Sequence, residues 1–325
     1  MKKKVVVFSQ IDLEILEKLQ EKYQVSIINP KNGDVNAQIL KEVKDANGLI
    51  GAGRLLNESN LSSATQLKVI SSVSVGYDNY DLNYLNQQKI LLCNTPHVLT
   101  ESTADLAFTL LMSAARKVPS LDVWVKNGEW KRTVGVGQFG LDVHGKTLGI
   151  IGLGHIGAAI ARRGFYGFNM NILYHNRKPK LEVAQSLNAE YCELNDLLKR
   201  ADFIVVAVDL NAESKALISE KEFNLMQKHA VIINISRGSV IDEIALIEAL
   251  KNKRIFAAGL DVYETEPLQS SELFHLDNVV TLPHIGSATT STRKKMAELA
   301  YQNLVDVLEG KQPQYIVNKE ISAIE

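Results

Sequence analysis

The stretch "TLGIIGLGHIGAAIARRG", residues 147–164, decides how the rest of the chain is read. Its apolar start, Thr147 to Ile151, reads as a strand and its Ala-rich end as a helix, with Gly152, Gly154 and Gly157 in G-x-G-x-x-G order between them. Each glycine has its own physical task. The first permits a tight turn, the second lets the backbone approach a pyrophosphate, and the third lets helix and strand pack closely. The helix N-terminus adds N–H donors and the positive end of its dipole. In this strand-turn-helix setting the pattern predicts dinucleotide binding, with Leu153, His155 and Ile156 in the same cofactor-contacting loop.

The next strand, "NILYHNRKPK" at 171–180, qualifies which dinucleotide. About 20 residues past the glycines such a fold normally holds an acid that accepts from the ribose hydroxyls of NAD. Here the strand ends in His175, Asn176, Arg177 and Lys178. A carboxylate would repel a 2′-phosphate, whereas Arg177 can grip one with two parallel hydrogen bonds and Lys178 can add a point charge. The expectation is therefore NADP(H), bound at its adenosine end by Asn176, Arg177 and Lys178, with NAD(H) remaining open. The plain alternative is a solvated basic turn on a cofactor-tolerant site.

Working outward, short β-branched runs recur along the whole chain: "VVVFS", "VSIIN", "GLIGA", "LKVISSVSVG" and "ILLCNTP" before the glycines, then "DFIVVAV", "AVIINIS", "AAGLDV" and "VVTLPH" after "NILYHN". Runs this continuous suit strands buried on both faces. Between them "DLEILEKLQEKY", "STADLAFTLLMSAARK" and "IDEIALIEALKNK" have helical spacing. The alternation predicts an α/β protein with parallel sheets and crossover helices, and the likeness of the two halves fits two doubly wound domains. The Gly-rich stretch 125–151 lacks periodicity and reads as a junction or a dimer arm.

Composition sets outer bounds. A chain of 325 residues, 46% hydrophobic and 22% charged, is long enough for two cores, and its net charge of -1 gives no footing for nucleic acid or an anionic membrane. The opening "MKKKVVVFSQ" has only four apolar residues in a row, short of the roughly 7 to 15 of a signal peptide, and no run approaches a membrane span. Cys93 and Cys192 are too few for a zinc site. The expectation is a soluble cytoplasmic protein with reduced thiols and no metal.

Three later strands each end in a reactive side chain: "AVIINIS" runs into Arg237, "AAGLDV" into Asp261 and, past a turn, Glu266, and "VVTLPH" into His284. Ligands of open parallel sheets sit at the carboxyl ends of strands, so these groups can meet at one crevice.

At this point the sequence resembles the D-isomer-specific 2-hydroxyacid dehydrogenases, and among them the glyoxylate/hydroxypyruvate reductases, including those acting on 2-ketogluconate. The resemblance spans nearly the whole chain and rests on "SVGYDNYD" (74–81), "TPHVLTESTADLAF" (95–108), "GLGHIG" (152–157), "ISRGSVID" (235–242), "GLDVYETEPL" (259–268) and "PHIGSAT" (283–289). It implies reduction of a small 2-keto acid by hydride transfer. His284, oriented by Glu266, supplies the proton, and Arg237 binds the carboxylate and polarises the keto oxygen. It further implies a carboxylate cradle at Val75, Gly76 and Ser287, and cofactor contacts from Thr103, Ile235, Arg237, Asp261 and Gly286, with Asp261 on the nicotinamide carboxamide.

The implied fold is two Rossmann-like and flavodoxin-like domains with the active site in the cleft between them. Residues 1–98 with 289–325 would form the discontinuous substrate domain and 99–288 the cofactor domain. The resemblance also implies a homodimer joined through the cofactor domain, with segment 117–146 as an irregular arm and Trp130 either an ordinary interface residue or one that reaches the partner's active site. One departure stands out: Asp209, Leu210 and Asn211 follow the strand "DFIVVAV", and a carboxylate there could weaken the preference for NADPH. The alternatives are an NAD-linked phosphoglycerate or other 2-hydroxyacid dehydrogenase and, more remotely, a dinucleotide-sensing corepressor-like binding protein. Formate or phosphite oxidation fits less well, since formate chemistry needs no acid–base pair such as Glu266 and His284.

Overall fold

The computed structural model describes residues 2–321. They form two compact units, residues 2–99 with 288–321, and Thr100–Ser287. In the first, strands β1 (Lys4–Val7), β2 (Gln24–Ile27), β3 (Gly48–Gly51), β4 (Val69–Ser72) and β5 (Leu91–Cys93) form a parallel sheet in the order 2-1-3-4-5. Its crossover helices begin at side chains that cap their own first turn. Asp12 accepts from Glu14 N, Asp34 from Ala37 N and Asp81 from Tyr84 N, each worth about 1 kcal/mol.

Burial follows position in the sheet. Strands β1, β3, β4 and β5 are buried at every residue, including Lys4, Ser71 and Ser72, while edge strand β2 leaves two of its residues exposed. The outer edge of β5 is covered by the chain's last described segment. Val317 N donates to Leu92 O, and the buried Asn318 side chain accepts from Leu92 N, which leaves that edge no open ladder.

The second unit holds β6 (Thr147–Ile151), β7 (Asn171–His175), β8 (Glu190–Tyr191), β9 (Phe203–Val206), β10 (Val231–Asn234), β11 (Ala257–Leu260) and β12 (Val279–Thr281), all parallel, in the order 12-11-10-9-6-7-8. Alternate residues feed opposite cores. Leu148, Ile150, Phe203, Val205, Val231 and Ile233 pack beneath helices Thr100–Ala115 and His155–Arg162. On the other face Ile151, Ile204, Val206 and Ile232 meet helices Leu194–Arg200 and Glu243–Lys251. Each such side chain contributes about 1.5–3 kcal/mol by leaving water.

The strand order reverses between β6 and β9, which is the doubly wound arrangement expected from the sequence. Two local expectations need correction. The dipeptide strand β8 escaped notice, and the stretch 117–146 is not irregular throughout, because Val118–Lys126 is helical. No helix among the described residues is long and apolar enough to cross a membrane. Cys93 and Cys192 are buried free thiols, and burial pushes them up to about 12 and about 11 respectively.

Candidate active site

Because every strand of the second sheet runs the same way, the loops after β6, β7, β9, β10, β11 and β12 emerge along one edge. The loop after β6 is the glycine turn. Gly152 has φ +101°, and a Cβ there would lie 2.4 Å from Ala207 O; a Cβ on Gly157 would lie 2.1 Å from Gly152 O. Both glycines are demanded by the protein's own backbone. Gly154 is different, since a Cβ on it would meet nothing within 4 Å. It sits exposed at the N-cap of helix His155–Arg162, which no side chain caps.

The neighbouring β7 loop closes on this turn. Asn176 Oδ1 accepts from Leu153 N at 2.6 Å, so the Asn176 carboxamide holds the glycine loop in place. Beyond it Arg177 extends outward with its side chain 80% exposed and pairs with Glu213 Oε2 at 3.0 Å. Asp209, whose carboxylate the sequence singled out, offers its backbone carbonyl to Ser214 Oγ.

At the far side of the edge, β10 ends in a polar knot. Asn234, 1% exposed, accepts from Ser236 N and Ser236 Oγ and donates to Arg237 O, and Arg237 Nη1 returns to Ser236 O at 2.8 Å. Ile235 is buried in the same turn. Gly238 follows because nothing larger fits: a Cβ would lie 1.8 Å from Tyr263 C. This close approach presses the Arg237 turn against the loop after β11.

That loop carries Glu266, whose Oε2 meets His284 Nδ1 at 2.7 Å while its Oε1 accepts from Tyr263 N. Burial pushes the Glu266 carboxyl up, but the bond and charge of His284, the Tyr263 N–H and the Arg237 guanidinium together hold it below the usual carboxylate range. Tyr263 also ties the β11 and β12 loops together through its hydroxyl, which donates to Leu282 O at 2.9 Å; burial pushes that phenol up to about 12. His284 has φ +55°, a left-handed conformation unusual for a residue with a Cβ.

The turn after His284 is clamped from below. Asp261, 1% exposed, accepts from Ile285 N at 2.7 Å and Gly286 N at 2.8 Å through its two oxygens. Burial raises its carboxyl, and the two N–H bonds pull the other way. Thr103 and Ser102 donate to Gly286 O from above, and Ser287 follows, half-buried.

Residues 108–286 match the family model for the NAD binding domain of D-isomer specific 2-hydroxyacid dehydrogenases. The whole chain is 43% identical over 324 residues to glyoxylate/hydroxypyruvate reductase B of Enterobacter sp. (strain 638), covering 99% of this chain and 100% of that one. The chain belongs to the D-isomer specific 2-hydroxyacid dehydrogenases. It is thus an NAD(P)-dependent oxidoreductase of that family. The Escherichia coli (strain K12 / DH10B) reductase B is likewise 43% identical, over 99% of this chain and 100% of its own. Among solved structures, the NADPH-dependent glyoxylate/hydroxypyruvate reductase of Sinorhizobium meliloti, in complex with NADP and malonate, superposes with a TM-score of 0.90 at 32% identity, covering 100% and 99% of the two chains.

Within this dehydrogenase the second unit brings together Arg237, Glu266, His284, Asp261, Gly286 and Thr103 on one side and the glycine turn with Asn176 on the other. Val75 and Gly76 belong to the first unit, at the carboxyl edge of β4. There Asn94 Nδ2 holds the Val75 carbonyl and Ser74 Oγ the Gly76 carbonyl, which fixes the direction of the peptide. Sequence reasoning passed over Asn234, Gly238, Tyr263 and Glu213. Asn234 left a signal, a polar residue closing the buried run "VII"; Glu213 left none.

Proposed function

We propose that this enzyme reduces a small 2-keto acid, glyoxylate or hydroxypyruvate with 2-ketogluconate a further candidate, to the D-2-hydroxy acid, with NADPH preferred over NADH. The observation that carries the reading is the 2.7 Å Glu266–His284 contact beside Arg237 at the ends of three adjacent strands. With Nδ1 committed to Glu266, the other ring nitrogen of His284 is the one that delivers a proton to the keto oxygen. Arg237 receives the substrate carboxylate and draws electron density toward the same oxygen. Its loss from a desolvated site would cost about 2–5 kcal/mol in transition-state binding. The N–H groups of Val75 and Gly76, whose carbonyls are already engaged, and the Ser287 hydroxyl complete the carboxylate cradle.

When bound, the nicotinamide supplies the hydride. The residues present fit a dinucleotide, because Gly154 leaves open space where a pyrophosphate approaches the uncapped helix end. The glycine turn with Leu153, His155 and Ile156 is assigned to the phosphates, with Thr103 nearby. Arg177, Lys178 and Asn176 take the adenosine end, and Ile235, Asp261 and Gly286 the nicotinamide end. We further assign pairing of two copies to the arm after helix Thr100–Ala115, where Val123, Trp130, Val136 and Phe139 are each more than half exposed. The cytoplasm is assigned from the two free thiols.

The test is initial-rate oxidation of NADPH and NADH with hydroxypyruvate, glyoxylate and 2-ketogluconate by the native enzyme and by His284→Ala. The expected result is NADPH-favoured turnover that His284→Ala lowers by about 10²–10⁴-fold with cofactor binding intact. Near-native turnover in the variant would remove the proton-donor assignment. Equal rates with both cofactors would remove the NADPH preference.

A further inference from the structure

We infer that Glu213 is a competitor built into the cofactor site: it occupies Arg177 in the absence of a 2′-phosphate and so sets how strongly the enzyme discriminates NADPH from NADH. The inference rests on Arg177 being the 2′-phosphate ligand. Arg177 Nη1 and Glu213 Oε2 lie 3.0 Å apart, with side chains 80% and 71% exposed, so nothing but their charges keeps them paired. The Arg177 group that a phosphate must engage is the one that the carboxylate holds.

Glu213 is held there by its turn. Asn211 Oδ1 accepts from Glu213 N at 2.9 Å and from Ser214 N at 3.1 Å, while the buried Ser214 hydroxyl accepts from Asn211 N at 2.8 Å and donates to Asp209 O at 2.6 Å. These bonds fix the backbone of a loop that leaves β9, the strand beside β6 at the reversal of strand order. The carboxylate is therefore presented to the cofactor edge by a rigid loop, and only its side chain is free to swing away. A 2′-phosphate must displace it from Arg177 and then tolerate a negative charge close by. A 2′-hydroxyl meets neither penalty and can donate to the same carboxylate. One residue thus acts in opposite directions on the two cofactors.

The size of the effect follows from the exposure of the pair. A solvent-exposed ion pair of this kind leaves Arg177 available about two-fifths to one-sixth of the time, and apparent affinity falls by that fraction. Glu213→Gln keeps the shape of the side chain and removes its charge. It should widen the ratio of NADH to NADPH dissociation constants by about twofold to sixfold, and the gain should shrink as added salt screens the native pair.

The experiment is fluorescence titration of NADPH and NADH into the native enzyme, Glu213→Gln, Arg177→Ala and the double variant, at low and high salt. A wider ratio in Glu213→Gln that shrinks in the Arg177→Ala background supports competition, the remainder measuring the direct action of the carboxylate on the two cofactors. An unchanged ratio in Glu213→Gln, with Arg177→Ala narrowing it, overturns the role of Glu213 and leaves the 2′-phosphate assignment standing. A gain that survives undiminished in the Arg177→Ala background overturns competition for Arg177, because Glu213 would then act on the cofactor alone. If Arg177→Ala leaves the native ratio unchanged, the 2′-phosphate reading itself falls and takes this inference with it.

Discussion

Replacing Asp261 by Asn isolates what holds His284 in place. The carboxylate is 1% exposed, and each of its oxygens accepts a main-chain N–H, from Ile285 at 2.7 Å and Gly286 at 2.8 Å. Asn has nearly the same shape, but one of its ends is an NH₂ group, so one of those N–H donors must face another donor. One charge-assisted hydrogen bond is lost, about 1.5–3 kcal/mol, and a buried N–H left unsatisfied costs about 1–3 kcal/mol more. Removing a buried charge gives some of this back, as the raised carboxyl of Asp261 indicates. The net expectation is a destabilisation of about 2–4 kcal/mol. It falls on the turn carrying His284 at φ +55°, so kcat should drop along with stability. Urea unfolding with an unchanged m-value measures the first effect, and turnover at saturating cofactor measures the second. Stability within about 0.5 kcal/mol of native together with unchanged kcat would refute the clamp. Unchanged stability with weakened cofactor binding would instead make Asp261 chiefly a ligand of the carboxamide.

Three other outcomes follow from the same geometry. Gly154→Ala should preserve or raise stability by about 0.4–1 kcal/mol while weakening dinucleotide binding, because its Cβ meets no protein atom within 4 Å. Gly157→Ala should lower Tm, since its Cβ would lie 2.1 Å from Gly152 O; a fully stable Gly157→Ala would contradict the packing described above. Glu266, held below the usual carboxylate range, contributes stability above about pH 4.3 that is lost as pH falls through its lowered value. The unfolding free energies of native enzyme and Glu266→Gln should therefore converge as pH falls below about 4.3, and a gap that widens toward acid would reverse the sign.

Legibility in the sequence tracked how local each feature is. The central strands announced themselves because a strand buried on both faces is apolar nearly without interruption, as β1, β3, β6, β9 and β10 are. Strand β8 is two residues long at a sheet edge, with Glu190 exposed, so no apolar run marks it. Helix Val118–Lys126 is nine residues long, carries Pro119 in its first turn and buries none of its residues, so it reads as part of the irregular stretch that follows it. The site divides in the same way. Gly152, Gly154 and Gly157 share one turn, and Arg237, Glu266 and His284 each close a recognisable strand. The Arg177–Glu213 pair joins residues 36 apart in sequence, through loops that only the reversed strand order makes neighbours.

Two positions at the carboxyl edge of the second sheet depart from what folding alone favours, and they depart in opposite directions. At Gly154 the protein uses a glycine where its own atoms would admit alanine, giving up conformational restriction of the unfolded chain. At His284 it keeps a side chain where glycine would adopt φ +55° without strain, at a cost of about 1–2 kcal/mol. Gly154 brings the empty protein no contact, while His284 sets its bond to Glu266 against the backbone strain. Gly152 and Gly238, by contrast, are fully explained by backbone atoms 2.4 Å and 1.8 Å from an added Cβ. A residue that the fold demands says where the chain is tightly packed. Gly154 and His284 lie on one edge, one beside an open helix end and the other paired to Glu266, where the dinucleotide and the keto acid are assigned.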